Sequence, residues 1–152
     1  MDSVTVHSVF NDQFDETDPA EVTLRDQLVE AFRYWAEYGC HPDFGRDASY
    51  RDPAGSIVPR VGLRHVHLRP EGALTPQDRR TWNDPRVDAY RKTSNRHLVY
   101  VMSDERDRLM LYYFEQDAHA EARTNDYRFL KALGRAAEEW LDESGLYPHL
   151  DG

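Results

Sequence analysis

Apolar positions change period several times along the chain, and the changes mark out its elements. Residues 4–10 (Val-Thr-Val-His-Ser-Val-Phe) are β-branched and partly alternating, which predicts a first strand. An acidic stretch follows, and Asp18-Pro19-Ala20-Glu21 then carries the marks of a helix start. Aspartate suits the N-cap, proline the first helical position, and the glutamate closes an arrangement like a capping box. Leu24, Leu28, Phe32, Trp35 and Ala36 recur at helical spacing, and Gly39 supplies the stop. Residues 41–59 contain Pro42, Gly45, Pro53, Gly55 and Pro59, so an irregular connection is expected there. Connections of this length are uncommon in compact domains and tend to carry function.

Residues 61–69 alternate as a strand around Leu63-Arg64-His65-Val66-His67-Leu68. That geometry puts His65 and His67 on one face and Arg64 on the other. About twenty polar, turn-rich residues come next, pinned to the body by Trp82 and Tyr90. Residues 97–102 are almost continuously apolar, as in a central strand buried on both faces. Asp104-Glu105-Arg106-Asp107 forms a charged tip, and residues 109–114 return as the second strand of an antiparallel hairpin. Residues 116–124 turn helical and set His119 and Arg123 four apart on one face. A last helix starts near Asn125 or Asp126, buries Leu130, Leu133, Ala137, Trp140 and Leu141, and stops at Gly145. Residues 146–152 are expected to form a loose tail. The order strand, helix, three strands, helix predicts a single α+β domain over residues 1–152. Its small, mainly antiparallel sheet is packed by an N-terminal and a C-terminal helix.

Composition narrows this picture. A chain of 152 residues suits one hydrophobic core, and its single cysteine, Cys40, leaves no internal disulfide framework. No apolar run is long enough to span a membrane, and residues 1–5 lack the basic and apolar regions of a signal peptide, so a cytoplasmic location is expected. The net charge of −9 is unevenly spread. Residues 1–59 carry 12 acidic and 4 basic side chains, residues 60–97 carry 4 and 9, and residues 98–152 carry 12 and 6. The two-histidine segment therefore lies in the one positive island of an acidic protein, where it is either solvated loop or a docking surface for phosphate.

Paired imidazoles on one strand face serve either proton transfer or a metal. Structural zinc takes four ligands, usually including cysteines, and Cys40 has no suitable spacing. Two histidines with Asp47 as a third ligand is the only metal set the sequence offers, and neither metal nor cofactor is expected. In Phe44-Gly45-Arg46-Asp47-Ala48-Ser49-Tyr50, the residues Arg46, Asp47 and Tyr50 either rim a site or belong to a folded-back loop held by an Arg46–Asp47 contact. His97 opens a buried strand and reads as structural, while His7, His41 and His149 have no special context.

Four motifs, taken in order, resemble a known family. They are residues 44–50, His65-Val66-His67-Leu68, Leu98-Val99-Tyr100 and Ala118-His119-Ala120-Glu121-Ala122-Arg123. Over roughly residues 40–140 the chain resembles the YafO toxins of type II toxin–antitoxin systems. The resemblance implies a ribosome-dependent mRNA endonuclease that inhibits translation, is neutralised by a cognate antitoxin, and is akin in fold to the RelE-like microbial RNases. It departs from the expected Arg-Thr-Ser/Asn-Asp run, with Lys92-Thr93-Ser94-Asn95 in its place. Such an enzyme cleaves RNA without a metal by attack of the ribose 2′-OH, with a base, an acid and positive charge over the phosphorane. On this reading His65 or His67 is the base, His119 the acid and Arg123 the charge stabiliser, with the first two roles reversible. Arg46, Asp47, Tyr50, Arg64, Arg91, Lys92 and Thr93 are the substrate-binding candidates. The partners are the antitoxin, the ribosome and translated mRNA, and the flanking acidic segments predict weak binding to free RNA. The alternative is a non-catalytic interaction protein that retains the toxin fold.

Overall fold

A computed structural model describes residues 3–151. In chain order the elements are β1 (Val4–Val6), α1 (Ser8–Asn11), α2 (Pro19–Tyr38), β2 (Phe44–Ser49), α3 (Ile57–Arg60), β3 (Arg64–Leu68), α4 (Pro76–Asn83), a 3-10 turn (Ala89–Arg91), β4 (His97–Met102), β5 (Arg108–Phe114) and α5 (Ala118–Ser144). One five-stranded sheet has the order β1-β5-β4-β3-β2. Its β1 runs parallel to β5 and the other neighbours are antiparallel. The α+β expectation holds. Among the described residues, no helix is long and apolar enough to cross a membrane.

The sheet separates two hydrophobic clusters. On one face the α2 residues Leu28 and Phe32 pack with Phe44, Val66, Leu98, Tyr100 and Met110. On the other, Leu130, Leu133, Ala137 and Leu141 of α5 pack with Val99, Val101, Leu109 and Leu111. Burial of each of these large side chains contributes about 1.5–3 kcal/mol, which is why the two helices clamp the sheet. The ends of α2 follow the sequence signals. Asp18 accepts a hydrogen bond from the Ala20 amide, and Gly39 stops the helix in the left-handed region at φ 77°.

Three regions differ from expectation. The first strand ends at Val6 because the imidazole of His7 caps α1, accepting from the Val9 amide at 3.0 Å. Residues 41–59 are not irregular throughout: Phe44–Ser49 is the edge strand β2. Gly45 makes this possible. A Cβ there would stand 2.1 Å from the Lys92 carbonyl oxygen, so only glycine lets the strand lie against that loop. The neighbouring Arg46 amide donates to the same carbonyl at 2.9 Å, which satisfies the open edge. Finally, the tail is docked, not loose. His149 donates to the Met102 carbonyl at 2.8 Å, and the Asp104 amide donates to Tyr147 at 2.8 Å. Asp151 receives Arg64 at 2.8 and 2.9 Å.

The two predicted C-terminal helical segments also appear, run together as α5 but broken at Thr124–Tyr127. Asn125, Asp126 and Tyr127 take φ of 53°, 56° and 60°, so the break falls where the second helix was expected to start. Ala118 and Ala122 before the break, and Leu130 and Leu133 after it, all lie in the core.

Candidate functional site

Cross-strand register assembles the site. His67 of β3 stands opposite His97 of β4, with His65 two residues along on the same face. The rings form a column in which Tyr50–His65, His65–His97 and His67–His97 centroids are 4.3, 4.6 and 4.1 Å apart. His119, from the first turn of α5, closes the column edge-on at 4.7 Å from His97. It is 5.8 Å from His67 and 6.4 Å from His65. Relative exposures of 7%, 2% and 0% put His65, His67 and His97 in the core, whereas His119 is exposed.

Burial governs the charge of these rings. It pushes His65 down to about 3, with the charges of His67, His119, Arg64 and Arg46 adding to the effect. His67 falls to about 4, through burial and then His119 and Arg46, against a partial opposing contribution from Ser94. His97 falls to about 2, through burial and its three histidine neighbours. His119 is lowered by desolvation and then by the cations of Arg123 and Arg46. All four are therefore neutral at pH 7 and offer free lone pairs.

Ser94 orients two of the rings. Its carbonyl lies 3.1 Å from His67 Nδ1 and 3.1 Å from His97 Nε2. Its amide is also within reach of His67 Nδ1, at 2.9 Å. The segment holding Ser94 lines a cleft of about 470 Å³ together with Thr93, Arg96, Gln116 and His119. Glu71, Asp78 and Glu115 line the same cleft.

The remaining predicted residues divide between the two faces. Arg46 leans on Tyr90, with Nε 2.7 Å from the Tyr90 carbonyl and its guanidinium 4.0 Å from the ring centroid. Its charge reaches His65, His67 and His119. Arg123 is exposed one helical turn beyond His119. Thr93 is exposed at the cleft, Lys92 is half-buried beside Arg46, and Arg91 is exposed on the 3-10 turn. Tyr50 lies against His65 with its hydroxyl buried and unpartnered, which holds its pKa well above the usual phenol value.

Asp47 and Arg64 do not join this group. They lie on the α2 face, where Tyr100 Oη donates to Asp47 at 2.7 Å and Arg64 Nη2 meets Asp47 at 3.2 Å. The imagined Arg46–Asp47 contact is replaced by Arg46–Tyr90 and Asp47–Arg64–Tyr100. A metal set of two histidines with Asp47 is likewise excluded, because strand alternation sends that carboxylate to the far side of the sheet. His97 and Ser94 are the site residues that sequence reasoning missed. Both follow from the β3–β4 register, which a single sequence does not print.

Taken together, the structure is an α+β sandwich with a histidine column that opens at a charged cleft. The profile of the family described as "Toxin YafO, type II toxin-antitoxin system" matches residues 33–142. The chain belongs to that family of type II toxins, and every residue of the column lies within the matched span. Comparison with curated proteins and with solved structures gives no match.

Proposed function

We propose that this toxin is a ribosome-dependent mRNA endonuclease whose proton-transfer group is His119. The observation that carries the reading is an exposed imidazole, His119, lining the cleft, on which the charges of Arg123 and Arg46 act. A neutral His119 accepts the proton of a ribose 2′-OH, which then attacks the adjacent phosphate. Arg123, Arg46 and Lys92 stabilise the charge that develops on the phosphorane. The P–O5′ bond breaks as the P–O2′ bond forms, leaving a 2′,3′-cyclic phosphate, and the departing 5′-oxygen takes a proton from water. His65 and His67 are withheld from substrate by burial. Together with His97 they form the buried wall behind His119, whose pKa is lowered by desolvation and by the charges of Arg123 and Arg46.

The acidic lining supports substrate delivery by the ribosome. Glu71, Asp78 and Glu115 repel the phosphates of a free strand, and the whole chain carries −9. Tight capture of naked RNA is not expected from such a surface, whereas a message already held in place needs only the local cations. The same cleft is where the cognate antitoxin of a type II system would act, by covering His119. The three carboxylates are also the observation that favours the rival reading, a binding protein without activity.

The test is expression of the chain without a partner, with 5′ ends mapped on a translated message and on the same message lacking its ribosome-binding site. Cuts confined to the translated form are expected. Growth without arrest and intact message, from soluble folded protein, would establish the binding protein instead.

A further inference from the structure

We infer that His65, His67 and His97 form a binding site for one divalent transition-metal ion, held by three imidazoles with its fourth position facing His119. One ring nitrogen from each of the three lies within 4.8 Å of the others. Ligand nitrogens on a tetrahedral ion with metal–nitrogen distances of about 2.0–2.1 Å stand roughly 3.3 Å apart. Ring rotations that move the nitrogens by the order of an ångström therefore complete the set.

Hydrogen bonding leaves the right atoms free. His97 Nε2 reaches the Ser94 carbonyl at 3.1 Å, and its Nδ1 is buried with no partner. His67 Nδ1 lies within reach of both the Ser94 amide, at 2.9 Å, and the Ser94 carbonyl, at 3.1 Å, and metal binding takes the tautomer in which Nδ1–H donates to the carbonyl and Nε2 keeps its lone pair. His65 Nδ1 is also buried without a partner. In that tautomer two imidazoles donate to one backbone carbonyl, the outer-shell arrangement that orients metal-binding histidines. Two orphaned ring nitrogens in a core are otherwise costly. The donor set is all imidazole, with no thiolate and, since Asp47 lies across the sheet, no carboxylate. This chemistry selects zinc, nickel, cobalt or copper over magnesium or calcium.

The inference is independent of the nuclease reading, because it concerns binding and not turnover. The full chain, purified and freed of metal by a chelator, is titrated with Co2+ and then with Zn2+ in competition with a chromophoric chelator. A single saturable ion per chain is expected, with the visible absorption of four-coordinate cobalt and X-ray absorption showing three imidazole ligands. His97→Gln and His65→Gln should each weaken Zn2+ binding about tenfold or more, while His149→Gln, away from the column, should not. Millimolar Mg2+ should not compete. Absence of one-to-one binding in the wild type overturns the site, as does unchanged binding in the folded His97→Gln and His65→Gln variants. Should those variants fail to fold, the ligand count from X-ray absorption on the wild type decides: fewer than three imidazoles overturns it.

Discussion

His67 and His97 face each other across β3 and β4 with ring centroids 4.1 Å apart, and both reach the carbonyl of Ser94. Two histidines distant in sequence thus share one backbone anchor. Their burial places a neutral, polarisable wall behind the exposed His119. The core histidines and the surface histidine are consequently separable by mutation.

His119→Gln should abolish most of the chemistry while sparing the fold. The ring is exposed, so the change in stability should stay within about 0.5 kcal/mol. Loss of a general base costs about 10²–10⁴-fold in rate. Mapped cleavage of translated message should fall by that factor with circular dichroism and denaturation midpoint unchanged. Wild-type cleavage by the variant would remove His119 from the mechanism.

Gly45→Ala should damage the site through the backbone. Its Cβ would meet the Lys92 carbonyl oxygen at 2.1 Å, Lys92 Cβ at 2.7 Å and Trp82 Cη2 at 2.8 Å. The first two contacts belong to the loop that carries Lys92 and cannot be relieved by a flexible side-chain end. A loss of about 1–3 kcal/mol in urea denaturation is expected. Faster hydrogen exchange of the Arg46 amide, now parted from Lys92, should accompany it.

Much of this architecture was legible in the sequence. α2 carried its own cap, stripe and stop, and the alternation of His65 and His67 with Arg64 put them on opposite faces, as the structure does. β2 was hidden because Pro42, Gly45 and Pro53 read as punctuation, although Gly45 is there to allow strand contact with Lys92. His97 read as a strand opener because its partnership with His67 depends on register. The tail read as loose because the residue that holds it, Arg64, lies 87 positions away. Local signals located the two long helices and the three central strands, and the pairings between distant residues that make the site had no local signal.

Tyr100→Phe should destabilise the protein without touching the histidine column. Tyr100 Oη donates to Asp47 at 2.7 Å and accepts from Arg64 Nε at 3.2 Å, with the ring 2% exposed. Removing the hydroxyl strips one partner from each member of a partly buried ion pair, a cost of about 1–3 kcal/mol. Urea denaturation should show a lower midpoint with an unchanged slope. Toxicity at permissive temperature should persist, since none of the three residues faces His119.

The docked tail should release in acid. Partial burial would raise the Asp151 carboxyl, but hydrogen bonds from Arg64 and Ser49 and the charges of Arg64 and His149 outweigh it and hold the group below its ordinary 3.8. A depressed carboxylate pKa in the folded state means that its contribution is complete above 3.8 and is lost as the pH falls through the lower folded value. The amide resonance of His149, bonded to Met102, should therefore shift with a midpoint below 3.8 while core resonances hold. Asp151→Asn should remove that titration and loosen the tail at neutral pH. A His149 amide that stays protected and insensitive to pH in both proteins would show that Pro148 and Met102, and not the Arg64–Asp151 pair, hold the tail in place.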